Sequence, residues 1–312
     1  MTDPIQPRPD MIGGVPTPPL AILPKLPALF TRRAERLAFL AEGSNLGPYL
    51  SFLAALAQVQ ARLAEALPPL PPLDPDRVAQ ARAARMPPVD RQAESDDEAL
   101  GGTLDALIAA AREIEMPAPA RLALDALAAA EPEDRAWLIG NVMADDIPAD
   151  SAAPHLFVAA AVQTHLARRA AGLDAAALVP IRTGVCPVCG GRACASVVTG
   201  IMGAEGARYA ACAGCQTLWN EVRVKCLCCG ENGKIGFQAV SDGSGTADAD
   251  GTGAQIKAET CGDCGQWVKQ MAQNRNPSLD PVADDVASLG LDALMRDSEW
   301  RRGGFNPFLI GY

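Results

Sequence analysis

Eight of the ten cysteines form four Cys-x-x-Cys pairs, which we call knuckles. A knuckle in a tight turn points both sulfur atoms toward one centre, and backbone N–H groups of the turn can donate to the thiolates. Two knuckles supply the four sulfur atoms of a tetrahedral site for Zn²⁺ or a single iron ion. We therefore predict two metal ions with these ligands: Cys186 and Cys189, Cys212 and Cys215, Cys226 and Cys229, and Cys261 and Cys264.

The residue after the second cysteine supports this interpretation. Glycine, which adopts positive φ without strain, follows three knuckles at Gly190, Gly230 and Gly265, whereas Gln216 follows the fourth. Sequential grouping is favoured, first knuckle with second and third with fourth, but a crossed or nested grouping stays open because spacing does not fix connectivity. Four protein sulfurs leave no open position on the metal, so the predicted sites are structural or redox-active rather than hydrolytic.

Two cysteines lie outside this pattern. Cys194 comes five residues after Cys189, and Cys228 lies between two ligands in Cys-Leu-Cys-Cys. The favoured interpretation is that both are small buried apolar groups. Two alternatives are a reactive or sulfur-carrying thiol, activated by the metal centre or by Lys225, and a ligand exchange in which Cys228 replaces a neighbour.

Other candidate sites are weak. Residues 248–259 partly match a calcium-binding loop, but the fifth position is Thr252 and no helix flanks it, so a solvated hairpin is favoured. His155 and His165 are the only histidines, and ten residues separate them on one predicted helix, so they are expected to be ordinary surface or core histidines. No catalytic triad, phosphate-binding loop or dinucleotide fingerprint is present, and we expect a protein that is not an enzyme.

The charge argues against nucleic-acid binding. The formal net charge is −10, and residues 182–275 hold nine Lys and Arg against eight Asp and Glu. A divalent ion with four thiolates adds about −2 at each centre, which makes this region negative. The apolar stretches are too short to cross a membrane, and the first residues do not form a signal peptide, so we expect a cytoplasmic protein without membrane insertion. Clustered cysteines in a reducing compartment also indicate metal sites rather than disulfides.

The elements that position the knuckles differ along the chain. Residues 1–27 are rich in proline and are predicted to form a loosely held extended arm. Apolar periodicity predicts helices, and residues 87–97 are predicted to form a loop. Short β-branched runs predict strands in the cysteine-rich part. The predicted helices are Phe30–Ala41, Leu46–Leu67, Leu100–Glu115, Arg121–Ala130, Asp134–Met143, Ala152–Gly172 and Pro281–Asp297. The predicted strands are Ser196–Ile201, Arg208–Ala211, Trp219–Lys225, Lys234–Val240 and Gln255–Glu259.

These patterns predict an α+β protein with an N-terminal α-helical domain, two rubredoxin-like or zinc-ribbon metal modules and a closing C-terminal helix. The predicted division is an arm at 1–27, a helical domain at 28–180, a first module at 181–221, a second module at 222–275, and the closing helix and tail at 276–312. Trp219, Arg223 and Lys225 beside the knuckles are candidate contacts for a partner, although strand packing and a solvated hairpin explain them equally well.

Several segments resemble one known family, the formate dehydrogenase accessory proteins called FdhE. The resemblance covers nearly the whole chain and is specific in the cysteine-rich half. Its segments are Arg208-Tyr-Ala-Ala-Cys-Ala-Gly-Cys-Gln-Thr-Leu-Trp219, Val222-Arg-Val-Lys-Cys226, Lys257-Ala-Glu-Thr-Cys-Gly-Asp-Cys264, Asp280-Pro-Val-Ala-Asp-Asp-Val-Ala-Ser-Leu289, Asn306-Pro-Phe-Leu309, Arg32-Arg-Ala-Glu-Arg-Leu37 and Gly47-Pro-Tyr-Leu50.

The resemblance implies a cytoplasmic maturation factor that is required for formate dehydrogenase activity but does not oxidise formate. It implies binding to the catalytic subunit, which contains molybdenum or tungsten, before twin-arginine export. It also implies two mononuclear iron centres on the eight knuckle cysteines, with zinc as the alternative metal. Two other functions stay open at this point, a rubredoxin-like electron carrier and, less favoured, a zinc-ribbon adaptor acting on nucleic acid.

Overall fold

The structure, a computed structural model, describes residues 17–240 and 254–309. Within them the chain forms ten α-helices and eight β-strands. The helices are α1 (Ala28–Ala41), α2 (Gly47–Ala66), α3 (Pro75–Ala84), α4 (Arg91–Ser95), α5 (Glu98–Ala111), α6 (Ala118–Ala129), α7 (Pro132–Met143), α8 (Ala152–Ala171), α9 (Ala283–Ala287) and α10 (Leu289–Arg296). The strands are β1 (Ala21–Ile22), β2 (Ala193–Val198), β3 (Arg208–Cys212), β4 (Leu218–Asn220), β5 (Ile235–Gln238), β6 (Ile256–Cys261), β7 (Gln266–Ala272) and β8 (Arg301–Arg302).

The helical half is built around α8, which is buried along most of its length and packs against α2, α5, α6 and α7. Its many alanines allow this close approach, and the larger side chains of α2 and α5 fill the space between the helices. The six long helices predicted before residue 180 are confirmed, with ends that differ by up to four residues. None of the helices in the described ranges combines the length and hydrophobicity of a membrane span.

Two short helices were not predicted. The structure forms α3 where the sequence shows no apolar stripe, and none of its residues is buried. It also forms α4 inside residues 87–97, where the prediction of a loop was wrong. Both begin at an aspartate that caps the first turn: Asp74 accepts from the N–H of Asp76, and Asp90 accepts from those of Gln92 and Ala93. Asp is a favoured N-cap residue, so the capping pattern was the signal for these two helices.

All eight strands belong to one sheet, in the order β1-β4-β3-β2-β7-β6-β5, with β8 beside β7. The parallel pairing of β2 with β7, for example Val197 opposite Met271, joins the two cysteine modules. The modules therefore share a continuous sheet rather than standing apart, while the predicted domain boundaries stay a prediction. The predicted strand Trp219–Lys225 ends at Asn220, and β7 was not predicted at all.

The first strand holds the chain start against the first module. Ala21 pairs with Trp219 of β4, and the Tyr209 hydroxyl donates to the carbonyl of Pro19 at 2.7 Å. The described end of the predicted arm is thus fixed rather than loosely held, while residues 1–16 lie outside the described part.

The C-terminal segment contains two short helices, so the prediction of one helix over Pro281–Asp297 was wrong. The break lies at Ser288. The Lys269 Nζ donates to the carbonyls of Asp285 and Ser288 at 2.6 and 3.2 Å, and these groups would otherwise accept helical hydrogen bonds. This buried lysine also pairs with the carboxylates of Asp285 and Asp292, at 3.0 and 2.5 Å, and anchors both helices on β7.

Candidate metal centres

The first and second knuckles meet in one buried cluster. The Sγ atoms of Cys186 and Cys215 are 3.5 Å apart, as are those of Cys189 and Cys212. All four ligand atoms lie within 4.8 Å of one another, and the side chains are at most 2% exposed. We call this group the first cluster.

The third and fourth knuckles form the second cluster. The Sγ atoms of Cys226 and Cys264 are 3.8 Å apart, and those of Cys229 and Cys261 are 3.7 Å apart. Cys226 and Cys261 are buried, Cys264 is half-buried and Cys229 is exposed. The knuckles therefore group sequentially, and the second cluster reaches the surface.

Both clusters fit a tetrahedral metal ion. A Zn–S bond of about 2.3 Å gives a sulfur–sulfur edge of about 3.8 Å in a regular tetrahedron, and the iron–sulfur case is close to it. The second cluster has edges of 3.7 and 3.8 Å, and the first has edges of 3.5 Å. Each cluster can thus hold one ion with four sulfur ligands, and the donor set by itself suits either zinc or iron.

The turns that carry the sulfurs have the expected backbone. Gly190, Gly230 and Gly265 have φ values of 75°, 85° and 67°, and each N–H closes its turn by donating to the carbonyl of the first cysteine of its knuckle. Backbone N–H groups also donate to sulfur, from Cys215 to the Cys212 Sγ at 3.4 Å and from Cys228 to the Cys226 Sγ at 3.3 Å. Such bonds stabilise thiolates.

The knuckle that lacks glycine uses Gln216 at the same position, with φ of 63°. This conformation is costly for a side chain with a Cβ. Three hydrogen bonds offset the cost: the Gln216 amide donates to the carbonyls of Ala213 and Gly214, and its carbonyl oxygen accepts from Arg33 Nη2 at 2.7 Å. Arg33 in turn pairs with Asp280, so the first cluster is tied to α1 and to the C-terminal segment.

Three family models match consecutive parts of the chain. The family models that match are FdhE, N-terminal, over residues 18–183, FdhE, central domain, over 185–223, and FdhE, C-terminal domain, over 224–309. The chain belongs to the FdhE family. The resemblance seen in the sequence is confirmed.

Full-length relatives agree with this assignment. The Protein FdhE homolog of Rhizobium meliloti (strain 1021) is 54% identical over 309 residues, which cover 99% of both chains. The Protein FdhE of Escherichia coli O9:H4 (strain HS) is 36% identical and covers 94% of this chain and 91% of its own. The crystal structure of the FdhE protein from Pseudomonas aeruginosa superposes with a TM-score of 0.81 at 32% identity, covering 94% of this chain and 99% of that chain.

The thiols of the first cluster influence one another strongly in this FdhE-family fold. Burial raises the pKa of Cys186 and of Cys212. Hydrogen bonds from the three neighbouring thiols lower the pKa of Cys189 well below its usual range. The pKa of Cys189 is thus lowered while those of Cys186 and Cys212 are raised, so a metal ion that binds these sulfurs as thiolates must displace protons.

The second cluster shows a similar division. A hydrogen bond from Cys228 is the largest influence on Cys226 and lowers its pKa to about 4. Burial raises the pKa of Cys264 to about 12 and also raises that of Cys229. Cys226 thus forms a thiolate more readily than Cys229 or Cys264.

The two remaining cysteines are packed groups. Cys194 is fully buried, and burial raises its pKa above the usual range, which makes it unreactive. Cys228 packs against the main core and lies outside the four-sulfur group of the second cluster. The hydrogen bond with Cys226 raises the pKa of Cys228, so its thiol stays protonated and acts as a donor to the ligand sulfur.

Sequence reasoning missed Arg91 and Asp145, which lie against the first cluster. The Arg91 guanidinium pairs with the Asp145 carboxylate through contacts of 2.8 and 2.9 Å. Burial alone would lower the pKa of Arg91, but the negative charge of Cys189 and the hydrogen bond and charge of Asp145 outweigh burial and raise it. The signal in the sequence was weak, because α4 is only five residues long and neither residue lies near a cysteine in the chain.

The remaining candidate residues lie outside both cysteine clusters, and part of the calcium-like loop lies outside the described residues. His155 and His165 are both fully buried and have separate partners. Trp219 is 3% exposed and packs in the sheet, whereas Arg223 is exposed and Lys225 half-buried. Residues 248–253 of the calcium-like loop lie outside the described residues.

A third group of ligand-type atoms, on Glu94, Asp97 and His165, lies within 4.8 Å of one another. Arg169 already pairs with both acids, at 2.8 Å to Glu94 and 2.5 Å to Asp97. The arginine supplies the positive charge that a metal would supply. We therefore interpret this group as a buried ion-pair cluster that ties α4 and α5 to α8.

Proposed function

We propose that this protein is a cytoplasmic maturation factor of a formate dehydrogenase. In this proposal it binds the catalytic subunit, which carries molybdenum or tungsten, before that subunit is exported by the twin-arginine route, and it does not oxidise formate. The observation that carries the proposal is the combination of FdhE family membership over the whole chain with two complete four-cysteine clusters.

The eight knuckle cysteines are the proposed metal ligands, two mononuclear sites per chain, with iron as the expected metal and zinc as the alternative. The metal would cross-link short strands and turns that have little core of their own. In the first cluster it would join the turn before β2 to the turn after β3. In the second it would join the turn before β5 to the turn between β6 and β7.

The all-sulfur ligand sets of the two clusters support a role other than hydrolysis at the metals. Four sulfur ligands fill a tetrahedral ion, so neither water nor substrate has a position on it. Among the described residues, the one further group of ligand-type side chains is neutralised by Arg169. A protein that acts by binding a partner needs only a surface of defined shape. The two metals would stabilise the fold that presents this surface.

Co-purification tests the partner. Tagged protein, isolated by gentle anaerobic lysis from a strain that expresses its formate dehydrogenase, is expected to retain the catalytic subunit. A variant with Cys186→Ser and Cys226→Ser is expected to lose it, while Cys194→Ala, which changes a cysteine outside both clusters, should retain it. Failure of the unaltered protein to retain the subunit would contradict the proposal.

One observation favours a second candidate, an electron carrier. The exposed Cys229 and half-buried Cys264 bring the second cluster to the surface, where a redox partner can approach. An iron-loaded protein would then bleach reversibly with a physiological reductant, and zinc-loaded protein would be inactive, because zinc does not change valence. Equal function with either metal would exclude this candidate and leave subunit binding.

A further inference from the structure

The two clusters differ in how they meet solvent. Each cysteine of the first cluster is at most 2% exposed, whereas the second cluster contains the exposed Cys229 and the half-buried Cys264. A chelator removes a metal by attacking it beside a departing thiolate, so it needs access to the sulfur shell. The sulfur atoms of the first cluster are buried, so a chelator cannot reach them. In the second cluster a chelator can approach at Cys229 of the third knuckle and Cys264 of the fourth.

The clusters also differ in their surrounding charge. Arg91 lies against both knuckles of the first cluster. A methyl group added at Gly214, inside the second knuckle, would come within 2.9 Å of Arg91 Nη2, and one added at Gly191, just after the first knuckle, would come within 3.2 Å of Nη1. Because the two glycines have no side chains, they leave room for the Arg91 guanidinium. A four-thiolate site with a divalent ion carries about −2, which this cation, with its side chain 13% exposed, partly compensates.

Asp145 fixes the guanidinium in this place. Its carboxylate accepts from both terminal nitrogens of Arg91 and also from the backbone N–H of Arg192, three residues after Cys189, at 2.8 Å. Asp145 follows α7 in the left-handed conformation, with φ of 53°. Glycine would adopt that conformation more easily but would lack the carboxylate. The pair links the end of α7, the start of α4 and the first knuckle.

Two lysines lie beside the second cluster, and both are held less firmly than Arg91. Lys234 would lie 3.0 Å from a methyl group on Gly262 inside the fourth knuckle, but its side chain is 71% exposed and its Nζ is 3.7 Å from the Asp263 carboxylate. Lys225 precedes the third knuckle, and its Cε lies 3.7 Å from where a methyl group on Gly230 would be. The side chain is half-buried, and within the described ranges no carboxylate pairs with it. A flexible ammonium that reaches water compensates charge more weakly than the Arg91 guanidinium, whose side chain is 13% exposed and is held in a bidentate pair.

From these observations we infer that Arg91, positioned by Asp145, is the counter-ion that retains the metal of the first cluster, and that the second cluster is the site of metal exchange. The inference rests on the eight cysteines being ligands, as proposed above, but it does not depend on any formate dehydrogenase partner. The metal of the first cluster is then retained and stabilises the fold, whereas the metal of the second cluster exchanges.

Chelator challenge of zinc-loaded protein tests this inference. Two zinc ions per chain are loaded, and their release to an excess of a chromogenic chelator is followed with time. The unaltered protein is expected to release one ion quickly and one slowly. The Cys226→Ser variant, which disrupts the second cluster, should show only the slow phase and so assigns it to the first cluster.

Loss of an outer-shell partner lowers metal affinity by about 10–100-fold, and we expect this loss to appear as faster release. The Arg91→Gln variant should therefore speed the slow phase by about that factor and leave the fast phase unchanged. Arg91→Lys keeps the positive charge but not the two terminal nitrogens that bind Asp145. Its slow-phase rate should therefore lie between those of the unaltered protein and Arg91→Gln. Asp145→Asn keeps Arg91 in the chain but removes the carboxylate that positions its guanidinium. It should therefore also accelerate the slow phase, which keeps the test valid if Arg91→Gln folds poorly. Arg135→Gln is the matched control, because Arg135 pairs with Asp105 at the other end of α7; it should change neither phase.

The outcomes separate the two proposals. Uptake of fewer than two zinc ions by the unaltered protein would contradict the ligand assignment itself. Uptake of two ions with a single release rate, or an unchanged slow phase in both folded Arg91→Gln and Asp145→Asn proteins, would overturn this inference alone.

Discussion

Arg208 of β3 and Glu259 of β6 form a fully buried ion pair that joins the two cysteine modules. The same guanidinium donates to the Ser196 hydroxyl at 2.8 Å and to the carbonyls of Val222 and Lys225 at 2.8 and 2.7 Å. It therefore fixes the segment that leads into the third knuckle. The pair and these bonds thus tie the segment before Cys226 to strand β3 of the first module.

Loss of one member should destabilise the protein strongly. Arg208→Met leaves the Glu259 carboxyl buried without its cation and removes both bonds to the segment before Cys226, at a cost of about 3–5 kcal/mol in the free energy of unfolding. Urea unfolding followed by circular dichroism measures it. The double variant Arg208→Met with Glu259→Met, which leaves no buried charge, should lose less than the single variant. A larger loss in the double variant would show that charge compensation is not the main contribution.

The same glutamate predicts a pH dependence. Burial raises the Glu259 pKa from its ordinary value of 4.5 to about 7 despite Arg208. A raised folded-state pKa means that the folded protein binds this proton more tightly than the unfolded chain. The stabilisation is therefore complete below pH 4.5 and is lost as the pH rises to 7, with a magnitude on the order of 3 kcal/mol.

Comparison with Glu259→Gln isolates this effect. The variant has no carboxyl to titrate, so the unaltered protein should lose stability relative to it between pH 5 and pH 7.5. Urea midpoints at both pH values, with metal content checked in each sample, measure the difference. A difference that stays constant over this range would show that the Glu259 carboxyl does not titrate there.

Metal content should follow the sequential grouping of the knuckles. Because Cys186 and Cys215 share the first cluster, replacing both by serine should reduce two metal ions per chain to one. Replacing Cys186 and Cys226, which lie in different clusters, should remove both ions. Metal analysis of protein purified without oxygen, with the visible spectrum to distinguish iron from colourless zinc, gives the result. Loss of both ions from the first pair of replacements would favour a crossed arrangement.

The features that were predicted correctly from the sequence depend on residues that are close together in the chain. The knuckles and most of the long helices follow from cysteine spacing, glycine positions and apolar periodicity, which act over a few residues. The missed features depend on contacts between distant residues. Gln216 takes a glycine conformation because Arg33 and two carbonyls bind it, and the helix break at Ser288 exists because Lys269 binds its carbonyl.

The same limit applies to the candidate site. Arg91 lies beside the first cluster only because α4 and the end of α7 meet next to the knuckles. Its separation from Cys189 in the sequence does not indicate this contact. Strand β7 has buried Trp267, Val268 and Met271, but polar residues between them weakened the apolar pattern.

The close approach of Gly303 to Cys228 gives the last prediction. A methyl group on Gly303 would lie 2.3 Å from the Cys228 Sγ, far inside contact distance. Gly303→Ala should therefore reduce the free energy of unfolding by about 1–3 kcal/mol, as overpacking does in other cores. Thermal or urea unfolding measures the loss.

Removing the sulfur should reverse this effect, because the clash is with Sγ and not with the backbone. Cys228→Ala combined with Gly303→Ala should recover most of the lost stability, whereas Cys194→Ala combined with Gly303→Ala should recover none. Cys228→Ala alone should keep two metal ions per chain, since Cys228 lies outside the four-sulfur group. Loss of one ion in that variant would make Cys228 a ligand and would contradict the assignment of Cys226 and Cys229 as the pair that serves the second cluster.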